Sequence, residues 1–95
     1  MASLGLLTLT LQLPGCTSLK EKRSRLKPLL ARLHREFDIS AAEIDQLDAW
    51  QSAVIACALV SNDPNHTMRT LQQVPRWVEE NWPDVELIEE QIELR

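Results

Sequence analysis

Residues 18–36 read SLKEKRSRLKPLLARLHRE, and no other stretch constrains the fold as tightly. Ser18 stands directly before the first leucine of a helical repeat, and Glu21 follows three residues later. That spacing is a capping box: the serine hydroxyl accepts from the Glu21 N–H, and the glutamate reaches back to the Ser18 N–H. Leu19, Leu26, Leu29, Leu30, Leu33 and Phe37 then recur so as to form one apolar stripe. The rest of the chain must therefore offer an apolar surface for about five helical turns to cover. Pro28 falls inside the helix, removes a hydrogen bond to the Ser24 carbonyl and predicts a kink.

The same segment is basic in an acidic protein. It holds Lys20, Lys22, Arg23, Arg25, Lys27, Arg32 and Arg35, seven of the ten Lys and Arg residues, while net charge is −4. General attraction to nucleic acid or an anionic membrane is thus not expected, and any such binding must be local to this helix. At helical spacing Lys20, Arg23, Lys27 and His34 gather on one flank of the stripe. Lys22, Arg25 and Arg32 are expected on the other. The plain reading is a solvated face whose long stems cover the core edge. The sharper reading is contact with an anionic partner, RNA or the ribosome being the obvious ones. Arg32, His34 and Arg35 also suit the negative end of the helix dipole.

Around this helix the patterns alternate in kind. Leu7, Leu9, Leu11 and Leu13 alternate with Thr8, Thr10 and Gln12, which predicts a strand buried on its leucine side, and Pro14-Gly15 ends it. Ile39–Asp45 reads as a second strand and Trp50–Val60 as a third. The run Ala53–Val60 has no polar side chain, so neither face is marked for solvent. Asp63 and Pro64 suit the N-cap and first turn of a second helix, with Met68, Leu71, Val74, Val78 and Trp82 as its stripe and Pro75 inside it. Glu86–Leu94 reads as an acidic edge strand. The order β-α-β-β-α-β predicts a single α+β domain over 1–95. It is the split βαβ, ferredoxin-like arrangement, a four-stranded antiparallel sheet with both helices on one face.

Chemistry is scarce. Gly5 and Gly15 are the only glycines, so no phosphate-cradling loop exists, and two Cys and two His offer neither zinc spacing nor a nucleophile with its base. Cys57 reads as a small buried hydrophobe, and Cys16 as a free thiol near a helix start. Glu43, Asp45 and Asp48 read as surface acids of a connection. His66 reads as a solvated residue of the second helix, and the three tryptophans as core, with Trp77 falling off the apolar stripe. No enzyme, metal or cofactor is expected. The start of the chain lacks a basic region and a continuous apolar block, so it does not read as a signal peptide, and no stretch approaches a membrane span. A cytoplasmic protein is the expectation. Base stacking as in RNA-recognition modules is disfavoured, because the two expected central strands carry no aromatic in their middles.

Three further runs join SLKEKR: Ala42-Glu43, Asp48-Ala49-Trp50-Gln51-Ser52-Ala53 and Ser61-Asn62-Asp63. Together they resemble the YlxP-like bacterial proteins, small domains of unassigned function, over nearly the whole chain. The resemblance implies a ferredoxin-like fold and a bacterial cytoplasmic protein. Such proteins are often encoded beside translation-initiation and ribosome-maturation factors, which implies work near the ribosome. No catalytic residue carries over.

Two functions are expected from this reading. One is a non-enzymatic accessory protein that binds RNA or the ribosome through Lys20, Arg23, Lys27 and His34. The other is a homo-oligomer, most simply a dimer, that uses the open sheet face through Leu6, Thr8, Thr10, Val54, Ala56 and Ala58.

Overall fold

The computed structural model describes residues 2–95 and contains six elements: β1 (Ser3–Gln12), α1 (Leu19–Phe37), β2 (Ser40–Asp45), β3 (Ser52–Ser61), α2 (Pro64–Asn81) and β4 (Glu86–Leu94). The strands form one sheet in the order β2-β3-β1-β4, with every neighbouring pair antiparallel. The expected α+β, ferredoxin-like arrangement is the observed one.

Period-two alternation sets the register. Leu7, Leu9 and Leu11 pair with Cys57, Ile55 and Ala53, and all six are sealed from solvent beneath the helices. Leu6, Thr8 and Thr10 pair with Ala58, Ala56 and Val54 on the opposite, uncovered face. A one-residue slip would exchange these two sets, so the leucine side fixes the pairing. Leu26, Leu29 and Leu33 of α1 and Leu71, Val74 and Val78 of α2 complete the core. The α1 helix lies over β2, while α2 lies over β1, β3 and β4. Gly5 is where α2 approaches the sheet most closely: a Cβ there would collide with Thr67 and lie 2.6 Å from Leu71 Cδ1.

Local chemistry accounts for the ends of the elements. Ser18 caps α1 and accepts from Glu21 N at 3.0 Å. The other half of the expected capping box does not form, because the Glu21 carboxylate accepts instead from Thr17 Oγ1 at 3.2 Å. Asp38 ends α1 in the left-handed conformation, its N–H donating to His34 O. Asp63 caps α2, with Pro64 in its first turn. Both helices run unbroken through their prolines.

Two strand boundaries differ from expectation. Ile39 precedes β2 as a buried residue, and Trp50 stands outside β3, half-exposed. Both edge strands carry a bulge, at Ile44 in β2 and Ile88 in β4. Such bulges disrupt the ladder where foreign strands would pair.

Candidate nucleic-acid interface

The seven cations of α1 divide into two groups of different use. Lys22 is 1% exposed, the one fully buried charged side chain among the described residues. At about 100° per residue it projects between Leu29 and Leu33, into the apolar stripe, not onto the flank shared by Arg25 and Arg32. Its ammonium meets the carbonyls of Gln46 at 2.8 Å, Ala49 at 2.7 Å and Ser52 at 3.1 Å. Those three oxygens use all three N–H donors. Glu43 Oε2 lies 2.7 Å from the same nitrogen, buried and without a hydrogen bond, so it meets the charge by electrostatics alone. Glu43 is therefore not the surface loop acid that its neighbours suggested: it stands in β2, on the helix side.

Arg25 and Arg32 are also engaged. Arg25 donates to the Pro14 and Asp84 carbonyls and lies 3.5 Å from Asp84 Oδ2 and 3.6 Å from Glu21 Oε2. It thereby ties the loop before α1 to the loop before β4. Glu21 is held below its ordinary 4.5, first by the Cys16 thiol and then by Thr17 and Arg25. Arg32 pairs with Glu36 at 3.5 Å and sits 5.4 Å above the Trp77 ring.

The remaining cations are Lys20, Arg23, Lys27 and Arg35. All are exposed, and among the described residues none has an acid within ion-pair distance. Three of the four expected contact residues, Lys20, Arg23 and Lys27, thus share one free face. Arg23 and Lys27 border a groove of about 290 Å³ floored by Leu26 and Leu30, with Glu43 at its side. His34 is exposed but differently used: its Nδ1 lies 2.8 Å from Ile39 O, across the left-handed turn at Asp38. Arg35, not singled out by spacing, takes its place as the fourth free cation.

The open sheet face is the second exposed feature. Leu6, Thr8, Thr10, Val54, Ala56 and Ala58 are all partly exposed on it. The patch is larger than expected, because Leu4 is 40% and Val60 69% exposed beside them. On β4 it is bordered by Glu89, Gln91 and Glu93, which pair with Thr10, Thr8 and Leu6. The central strands β1 and β3 carry no aromatic residue, so a stacking platform of the RNA-recognition kind is missing from the sheet.

Nothing reactive is gathered. Both cysteines are buried and free, and burial pushes the Cys57 thiol from 9.0 up to about 12. A thiol of raised pKa stabilises the fold below its ordinary pKa, and that contribution fades as pH rises from 9.0 toward about 12. Among the described residues no three side chains are grouped to hold a metal ion, and no helix is long and apolar enough to cross a membrane.

A small ferredoxin-like domain with one free basic helix face is what these features define. The chain belongs to the family described as "Protein of unknown function (DUF503)", whose model matches residues 4–92. It is 38% identical over 69 residues to the uncharacterized protein YlxP of Bacillus subtilis (strain 168), covering 73% of this chain and 74% of that one. Its backbone is similar to that of the de novo designed protein Foldit4, with a TM-score of 0.56 and 11% identity over 100% of this chain and 97% of that one. That likeness concerns the fold alone.

Removing the Lys22 ammonium leaves Glu43 and three carbonyls without their cation. Lys22→Ala is expected to destabilise the domain by about 3–5 kcal/mol, and Lys22→Met combined with Glu43→Gln by clearly less. Urea denaturation of the two variants checks this. A cost below about 1 kcal/mol for Lys22→Ala would remove the pair from the account.

Proposed function

We propose that this protein is a non-enzymatic bacterial accessory factor of the cytoplasm that binds RNA, alone or in the ribosome, through the outer face of α1. One observation carries the reading: Lys20, Arg23, Lys27 and Arg35 are exposed and, among the described residues, have no acidic partner, in a chain of net charge −4. Cations kept free of abundant local acids are available to an outside anion. From Lys20 to Arg35 the helix rises about 22 Å, enough to follow several phosphates of one strand. Contacts of this kind are made to phosphate, so they track charge and carry little sequence information.

The double variant Arg23→Glu, Lys27→Glu reverses the local field without touching the core. RNA or ribosome association is expected to fall more than about tenfold, and the salt slope of wild-type binding to exceed that of the variant by about two units. Thermal stability should match. Equal association of the two proteins, or none for either, at low salt would end this reading.

A second reading rests on the sheet face, where Leu4 and Val60 are 40% and 69% exposed. Contiguous apolar surface of this kind marks interfaces, and a two-fold dimer is the usual closed form. The same face would then join two copies through Leu6, Thr8, Thr10, Val54, Ala56 and Ala58, with the basic helices outermost. Sedimentation equilibrium is expected to give a dimer mass that Val54→Glu combined with Ala58→Glu returns to monomer. A monomer mass for wild type, constant up to concentrations where micromolar dimers would form, contradicts it.

A further inference from the structure

The two helices meet at a place that the basic face does not use. Phe37, the last residue of α1, packs edge-on against Trp77 of α2, ring centroids 5.8 Å apart. Trp77 is further fixed by stacking on Trp82 at 6.1 Å and by the Arg32 guanidinium above it. Beside this rigid apolar wall runs an open groove of about 420 Å³ along the exposed side of α2. Arg69, Gln73, Arg76 and Glu80 follow at helical spacing along it, with Gln72 next to Gln73. Among the described residues neither arginine has an acidic partner, and neither glutamine amide is used in a hydrogen bond. The groove thus combines an aromatic wall of two perpendicular rings, two free cations and two free amides.

We infer that this groove receives an unpaired nucleotide of a single RNA strand whose neighbouring phosphates lie on the basic face of α1; the inference rests on the RNA-binding reading above. Arg69 and Arg76 face a backbone phosphate. The base packs into the angle between the Phe37 and Trp77 rings, whose apolar surface it covers, and the Gln72 and Gln73 amides reach its polar edge. Glu80 is the one acid lining the groove and repels phosphate, which places the phosphate toward Arg69. Arg35 lies one helical turn from Arg32, which sits over Trp77, so a free cation of α1 stands beside the groove. A duplex keeps its bases stacked inside and can offer only phosphates, so the groove makes the protein prefer unpaired RNA.

The test compares one short mixed-sequence RNA, as a single strand and annealed to its complement, at equal ionic strength. Wild type is expected to bind the single strand about tenfold more tightly, with Trp fluorescence changed only by that form. Gln73→Ala combined with Arg76→Ala, both at exposed positions of α2, should bring the two affinities together while binding to duplex falls only slightly. Trp50→Phe, remote from the groove, should keep both the preference and the fluorescence change. Equal affinity of wild type for the two forms, or an unchanged preference in the groove variant, overturns the inference while leaving phosphate binding by α1 intact. No binding of either form at low salt overturns both.

Discussion

The Lys22 ammonium is the interaction on which the surrounding structure depends. It sits inside the apolar stripe of α1, where a charge survives only if its donors are satisfied and its field is opposed. Two carbonyls of the β2–β3 connection and that of Ser52 at the start of β3 supply the first, and Glu43 supplies the second. Each acceptor constrains the connection. Gln46 is left-handed, Ala49 N returns to Gln46 O at 3.0 Å, and Leu13 N reaches Gln51 O at 2.9 Å. A lysine on α1 thereby fixes how β2 returns into β3 and how α1 sits over both.

The residues that carry the family resemblance are, in this light, largely architectural. Ser18 caps α1, Lys22 and Glu43 form the buried pair, and Ala49 and Ser52 lend it their carbonyls. Ser61 accepts from Asp63 N at 3.1 Å and meets Thr67 Oγ1 at 2.7 Å, while Asp63 caps α2. These motifs specify how the split βαβ unit closes. The surfaces left for partners lie elsewhere: the free cations of α1, the groove beside Trp77 and the uncovered face of the sheet.

How legible these features were in the sequence follows from the range of the forces behind them. The strand order could be read because alternation in Leu7–Leu13 and helical spacing in Ser18–Glu36 are local patterns with different periods. The free cations Lys20, Arg23 and Lys27 could be read for the same reason. Lys22 was misplaced although its projection falls between two buried leucines, because lysine ordinarily marks solvent. Its acceptors are also backbone carbonyls 24, 27 and 30 residues away, which no side-chain pattern announces. His34 was grouped with the cations by projection, but the turn at Asp38 brings the Ile39 carbonyl to its ring. The groove at Phe37 and Trp77 depends on how two helices pack, and only the off-stripe position of Trp77 hinted at it.

Amide hydrogen exchange in Lys22→Met, compared with wild type, tests the central claim most directly. If the ammonium holds the β2–β3 connection, the Ala49 amide and its neighbours across residues 46–52 lose protection first. The β1–β3 ladder, paired from Ser3↔Ser61 to Gln12↔Ser52, should stay slow over the positions beneath the helices. Unchanged exchange across the connection, with protection lost uniformly or not at all, would contradict it.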